Sequence, residues 1–159
     1  MSPKDTQAPA GSAWYAAGLC FACTGCGNCC SGGPGYVWVT EDELLRIAAF
    51  LGISPQKVVR AYCRTVGRRL CLREVRSASG QYDCVFLASE RDATGRPTGR
   101  RLCTVYHARP VQCRTWPFWY GNLVDPAAWK HAADKCPGID SGRRWSLEEI
   151  EAARNMNDW

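Results

Sequence analysis

The sequence predicts a small single domain of the α+β class, with a helical hairpin, short strands and long loops. Three observations lead to this prediction. The 159 residues suffice for one buried core. A content of 46% hydrophobic and 22% charged residues is typical of a globular chain. Capped helices and short strand-like runs both occur along the sequence. Residues 14–159 are expected to form the domain, behind a flexible tail of residues 1–13.

The cysteines concentrate near the start of this domain. Five of them fall within eleven residues, at Cys20, Cys23, Cys26, Cys29 and Cys30. A thiol at every third position, with glycines between, predicts a loop that presents several sulfurs to one inorganic centre. Buried structural cysteines have no need of such spacing. Cys29 and Cys30 are adjacent, and on an extended backbone their side chains would diverge. We therefore expect them to serve two centres, or one of them to be a bystander.

Two helices are predicted after the cysteine loop. Thr40 and Glu43 have the spacing of a capping box, and Gly52 is expected to end this first helix. Ser54 and Pro55 predict the start of a second helix. The apolar face of the first helix is expected to consist of Leu44, Leu45, Ile47, Ala48 and Leu51.

Strands and short helices are predicted further along the chain. Apolar and β-branched runs predict strands at 70–72, 82–87 and 101–106. A single helical turn is expected at 109–114 and a helix at 126–134. A last helix is predicted by the capping box of Ser146 and Glu149. The aromatic run 116–120 is expected to contribute to the core and to cover the inorganic centre.

Composition excludes several classes of function. The formal net charge of +5 comes from short arginine pairs, so a nucleic-acid partner is not expected. No run approaches 18 apolar residues, so no membrane span is expected. Eleven cysteines is an odd number, and the N-terminus has no apolar leader. These features predict a cytoplasmic protein whose thiols bind metal or do redox chemistry.

The cysteine motifs resemble those of the CxxCxxCC cysteine-cluster family, proposed zinc- or iron-chelating (YkgJ-like) domains. The resemblance extends over about residues 20–142. It is carried, in order, by Phe21-x-Cys23-x2-Cys26-Gly27-x-Cys29-Cys30, Val37-Trp38-Val39-Thr40, Cys84-x-Phe86-Leu87, Cys103-x2-Tyr106-x2-Arg109-Pro110-x2-Cys113-Arg114-x2-Pro117-Phe118 and Cys136-Pro137-Gly138-Ile139.

This resemblance implies a set of eight metal ligands. They are Cys23, Cys26, Cys29, Cys30, Cys84, Cys103, Cys113 and Cys136. Cys20 is a candidate additional ligand because it extends the three-residue spacing. Cys63 and Cys71 lie outside the motifs and are expected to be core residues. Around the ligands, Tyr106, His107, Arg109 and Arg114 are candidates for compensating thiolate charge or holding an acidic group.

The cofactor and the role stay open between alternatives at the level of sequence. An iron–sulfur cluster, 4Fe-4S by preference, is favoured over zinc. The role is then electron transfer or metal handling, with metal or cluster as the bound species. One alternative is a zinc-stabilised interaction module. The other is a cluster-dependent enzyme acting on a protein, since flagellin lysine N-methylases carry a similar domain. This chain has no evident glycine-rich S-adenosylmethionine motif.

Overall fold

The computed structural model describes residues 12–157, which divide into two compact units. One unit comprises the residues up to Ala22 and those from Pro117 onward, and the other is Cys23–Trp116. We describe each unit by itself. The described residues contain both helices and short antiparallel strands, which confirms the α+β class. The expected flexible tail, residues 1–13, falls almost entirely outside the described residues.

The Cys23–Trp116 unit contains three helices and eight of the strands. The helices are α1 (Glu41–Leu51), α2 (Pro55–Tyr62) and α3 (Val111–Arg114). The strands are β2 (Ser31–Gly32), β3 (Trp38–Val39), β4 (Cys63–Val66), β5 (Arg69–Leu72), β6 (Glu74–Arg76), β7 (Tyr82–Cys84), β8 (Leu87–Arg91) and β9 (Pro97–Cys103). They pair antiparallel in the orders β2-β7-β6 and β3-β5-β4, with β8-β9 as a separate hairpin.

The helical hairpin forms as the caps predict. The Thr40 side chain accepts a hydrogen bond from the Glu43 N–H, and Gly52 ends α1 with φ 66°. The Ser54 side chain caps α2, which has Pro55 in its first turn. Ile47 of α1 and Val58 of α2 are fully buried in the core of the unit. The prediction that Leu45 belongs to the buried face of α1 is wrong. Its side chain is 49% exposed, because it lies off the helix face that packs on the core.

The predicted strand at 82–87 is wrong, because the chain turns in its middle. Strand β7 ends at Cys84 and β8 begins at Leu87. The Val85 N–H donates instead to the Arg73 carbonyl, and Phe86 packs into the hydrophobic core with 3% exposure. The predicted strand at 101–106 likewise ends early, at Cys103, and a 3₁₀ turn, Tyr106–Ala108, follows. Burial of Phe86 and the new turns override the local strand propensity.

The other unit consists of a two-stranded antiparallel sheet and three helices. Strand β1 (Leu19–Phe21) pairs with β10 (Ile139–Trp145), and the helices are α4 (Tyr120–Leu123), α5 (Pro126–Ala133) and α6 (Leu147–Asn155). The Ser146–Glu149 capping box starts α6 as predicted. The strand pair was not predicted, because β10 is rich in polar residues and begins 118 residues after the end of β1. Non-local pairing of this kind leaves little trace in a local pattern.

Aromatic rings form the core of this unit. Phe118 is 1% exposed and lies against Phe21, Trp129 and Trp145, with ring centroids 5.9, 5.8 and 4.9 Å away. The predicted core role of the 116–120 run is therefore confirmed for Phe118. Tyr120 is 73% exposed and takes no part in this core.

Replacing Gly138 by alanine should destabilise the protein by about 2 kcal/mol, because overpacking of a tight site costs this much. A Cβ atom at Gly138 would lie 2.2 Å from the Ala22 carbonyl oxygen, where two backbone segments meet. Urea denaturation measures the loss. Gly121→Ala is the matched control, since nothing lies within 4 Å of its Cβ position in α4. Equal stability of the two variants would contradict the close approach.

Candidate metal centre

A small cavity within the Cys23–Trp116 unit collects most of the predicted ligands. Its volume is about 40 Å³. The thiols that line it are Cys23, Cys29, Cys30, Cys84, Cys103 and Cys113. Four apolar residues also line the cavity, namely Leu72, Phe86, Val105 and Pro110. The cavity thus joins a sulfur-only donor set to a largely apolar wall.

Strand pairing brings two of these thiols together. Strands β2 and β7 are antiparallel, and Ser31 pairs with Asp83. Cys30 precedes Ser31 and Cys84 follows Asp83, so the pairing brings these two cysteines to the same end of the strand pair. The Ser31 hydroxyl donates a short hydrogen bond to Asp83 Oδ1, and Arg101 Nη1 lies 3.1 Å from Asp83 Oδ2. Asp83 therefore fixes the end of the cysteine loop to β7 and to β9, the strand that ends at Cys103. Asp83 was not singled out from the sequence.

Cys113 is positioned by helix α3, which two polar side chains hold in place. The buried Glu43 carboxylate accepts hydrogen bonds from the Val111 N–H at 2.6 Å and the Thr40 N–H at 2.8 Å. Gln112 accepts a hydrogen bond from the Trp38 N–H and donates one to the Tyr36 carbonyl. The capping-box glutamate thus anchors α3 as well as α1. Sequence spacing identifies the cap but gives no sign of this second bond.

The end of the cysteine loop is a helical turn. Residues Asn28–Cys30 form a 3₁₀ turn that follows Gly27, whose φ is 73°. The Cys29 and Cys30 sulfurs lie 4.0 Å apart, and both side chains line the cavity. Two thiolates on one tetrahedral zinc, each at about 2.3 Å, lie about 3.8 Å apart. The expectation that adjacent cysteines diverge is therefore wrong, because it assumed an extended backbone.

The cavity thiols influence one another electrostatically. The hydrogen bond from Cys30, helped by the nearby Arg109, lowers the pKa of the Cys29 thiol to about 7. Burial is the main cause that raises the pKa of Cys84 to about 11, and Cys103 and Cys29 add to it. Burial and neighbouring thiols also raise the pKa of Cys113 and of Cys103. Cys84, Cys103 and Cys113 are thus protonated at neutral pH, and a metal must displace their protons to bind.

Tyr106 and Arg109 are the two polar residues at the cavity wall that the sequence placed around the ligands. The Arg109 guanidinium lies 3.7 Å from the Tyr106 ring centroid, and its Nε donates to the Tyr106 carbonyl. A hydrogen bond to Cys23 is the main cause that raises the pKa of Tyr106. His107 and Arg114 are exposed and do not line the cavity.

The remaining cysteines lie elsewhere. Cys26 lines a different, polar pocket beside Arg100 and Arg101, and its sulfur accepts a 3.5 Å hydrogen bond from the Asn28 N–H. Cys63 and Cys71 are buried, as predicted. Cys20 in β1 and Cys136 after α5 belong to the other unit.

The donor set suits a thiophilic metal or an iron–sulfur cluster, because six thiols and no nitrogen ligand line the cavity. Among residues 12–157, no group of three or more His, Cys, Asp or Glu side chains is arranged so that it could hold a metal ion as it stands. The thiols share a cavity without converging on one point. Binding would therefore draw their sulfur atoms closer together.

Comparison with known proteins agrees with this chemistry. A family model described as a "putative zinc- or iron-chelating domain", CxxCxxCC, matches residues 22–137. The chain belongs to the CxxCxxCC family. Metal binding is the general property that this family's description gives. The matched range includes all eight predicted ligands, from Cys23 to Cys136.

One curated relative is the uncharacterized protein MJ0661 of the archaeon Methanocaldococcus jannaschii. It is 28% identical to this chain over 104 residues, which cover 65% of this chain and 48% of the relative. The chain thus spans about half the length of this relative. No solved structure matches the chain. Within residues 12–157, every helix is too short or too polar to cross a bilayer.

Replacing Gly27 by alanine should lower metal loading and stability together. Its positive φ costs alanine about 1 kcal/mol, and the new Cβ would lie 2.8 Å from Leu87 Cδ1 and 3.2 Å from the Arg101 carbonyl oxygen. The turn that carries Cys29 and Cys30 would therefore shift. Metal per chain by elemental analysis and a thermal melt measure the effect. Gly33→Ala, with open space at its Cβ, should match the parent protein, and a fully loaded Gly27→Ala would contradict the argument.

Proposed function

We propose that this chain is an iron–sulfur protein whose centre is held by Cys29, Cys30, Cys84, Cys103 and Cys113, with Cys23 at the rim. The observation that carries the proposal is the number of thiols around one cavity. A structural zinc site needs four ligands. Five thiols that influence one another, and a sixth on the same wall, exceed that number and favour a polynuclear centre.

The surroundings of the thiols support a redox-active centre. Phe86, Val105 and Leu72 give the wall a low polarity, and burial and hydrogen bonding are what tune the potential of an iron–sulfur cluster. Arg109 supplies a positive charge that interacts with Cys29, Cys103 and Cys113. A guanidinium here would offset part of the negative charge of several thiolates.

Electron transfer or metal exchange with another protein is the role that this position supports. Cys23 and Cys29 are exposed, so one side of the centre lies at the surface of the unit. Electrons or metal can then pass to a partner without opening the core. Cys26 and Cys136 remain in the proposed ligand set because of the sequence motif alone. We also propose the cytoplasm as the compartment of the protein.

A zinc centre is the second candidate, and two observations favour it. The 4.0 Å separation of the Cys29 and Cys30 sulfurs is close to that of two ligands on one zinc. The cavity is also small. Its volume of about 40 Å³ has room for only a few atoms, since a single water molecule needs about 10–15 Å³. Zinc would make the chain a stabilised interaction module without redox activity.

Anaerobic purification followed by a visible spectrum and analysis of iron, zinc and sulfide tests the proposal. An iron–sulfur centre should give a broad charge-transfer band that bleaches on reduction, with iron and acid-labile sulfide in equal amounts. A colourless protein that contains zinc and no sulfide would replace the proposal by the zinc candidate. In either case removal of the metal should lower the melting temperature, because ligands gathered in the fold couple metal binding to stability.

Replacing Cys113 by serine should remove most of the bound metal, because a serine hydroxyl is a poor ligand for a thiophilic metal. Cys71→Ser is the matched control. Cys71 is fully buried, lies outside the cavity and donates to its neighbour's carbonyl, a bond that serine keeps. Metal per folded chain is the measurement. Retention of the parent metal content in Cys113→Ser would remove it from the ligand set. The same measurement on Cys26→Ser and Cys136→Ser decides whether those two belong to it.

A further inference from the structure

A row of stacked side chains covers the outer face of the β3-β5-β4 sheet. The Arg64 guanidinium lies 5.0 Å from the Tyr36 ring centroid. Tyr36 and Trp38 stack with centroids 5.1 Å apart and planes 3° from parallel. The Arg69 guanidinium lies 4.3 Å from the Trp38 centroid. We call these four residues the arginine–aromatic row.

Strand register explains why the row forms. Trp38 is opposite Cys71 and Cys71 is opposite Arg64, so all three lie on one face of the sheet. Arg69, two residues before Cys71, lies on the same face beyond Trp38, and Tyr36 lies on the other side of Trp38. Tyr36 and Arg69 therefore both pack against the Trp38 ring, and Cys71, on the same face of the sheet, is fully buried.

Positive charge concentrates on the segment that carries this row. Between Lys57 and Arg76 the chain has seven basic residues and one acidic residue, Glu74. The net charge of this segment therefore exceeds the +5 of the whole chain. Arg64 lies 4.0 Å from Glu74 and is partly neutralised. Within residues 12–157, neither Arg68 nor Arg69 takes part in an ion pair.

An open groove of about 500 Å³ lies beside the row. Trp38, Thr40, Leu44, Arg68 and Arg69 contribute to its wall, as does the carboxylate-bearing Glu41. Both arginines are exposed. The contact with the Trp38 ring restrains the Arg69 guanidinium, whose N–H groups can then bind a carboxylate through two hydrogen bonds.

We propose that this groove and the arginine–aromatic row bind an acidic segment of a partner protein. Aspartate or glutamate carboxylates would pair with Arg68 and Arg69, and apolar side chains between them would contact Trp38 and Leu44. The site is separate from the thiol cavity, since the two share no lining residue. The proposal therefore stands whether the centre holds iron or zinc.

Single-stranded nucleic acid fits this surface less well than an acidic peptide does. Such ligands gain affinity by stacking bases on exposed aromatic faces. Tyr36 stacks on Trp38 and the Arg69 guanidinium lies over the same ring, so a base would have to compete with both of them. Guanidinium edges remain free, and these suit carboxylates without any stacking.

Binding of a fluorescently labelled oligoglutamate peptide to the full metal-loaded chain tests the proposal. The double variant Arg68→Gln, Arg69→Gln should weaken binding on the order of tenfold, as expected when charge-assisted hydrogen bonds are lost. Arg91→Gln, Arg96→Gln is the matched control, because both of these exposed arginines lie in the β8–β9 hairpin. It removes the same charge and should change binding less than about twofold. Equal weakening by both variants would overturn the proposal, because it would mean attraction by net charge alone.

Two further measurements sharpen the result. Arg69→Lys keeps the charge but loses the planar fork, so we expect binding to weaken several-fold. If the Arg69→Lys variant bound the peptide as tightly as the parent protein does, the proposed binding role of the arginine–aromatic row would be wrong. Oligothymidylate of equal charge should bind more weakly than the peptide, and tighter binding would replace the acidic partner by nucleic acid. Metal content should stay unchanged and each variant should still unfold cooperatively, which separates this test from that of the metal centre.

Discussion

Several thiols share one small cavity, and the rest of the site follows from how the negative charge of their thiolates is compensated. Burial raises the pKa of Cys84 and Cys113, and the neighbouring sulfurs raise it further. The cavity cannot hold all of its thiolates without a compensating cation. A bound metal or cluster supplies that charge, and Arg109 contributes one more at the wall. The free energy of metal binding then becomes part of the free energy of folding.

The framework that holds the thiols is made of short elements joined by a few polar side chains. Strands of two to seven residues have little stability of their own. Asp83 ties the cysteine loop to two strands, and Glu43 ties α3 to the start of α1. Each of these carboxylates receives hydrogen bonds from segments distant in sequence. Loss of either would release a thiol from the cavity as well as weaken the fold.

The charge of the unit is distributed unevenly over its surface. The basic segment runs from α2 through β4 and β5 to β6, while the thiols line a cavity that shares no residue with the groove beside the arginine–aromatic row. Contacts with the Tyr36 and Trp38 rings restrain two of the arginines. A protein that exchanges electrons or metal needs a partner nearby, and a basic surface of fixed geometry can orient an acidic one.

The sequence by itself determined the features that depend on neighbours along the chain. The capping boxes at Thr40 and Ser146 and the Ser54-Pro55 start are local hydrogen-bonding patterns, and all three formed as predicted. The motif spacing also led to the family and to the metal-binding chemistry. Tertiary structure decided the turn that brings the Cys29 and Cys30 sulfurs to 4.0 Å, the break at Phe86 and the grouping of six thiols. These depend on long-range pairing and on burial of particular side chains, whose energies no local window of sequence contains.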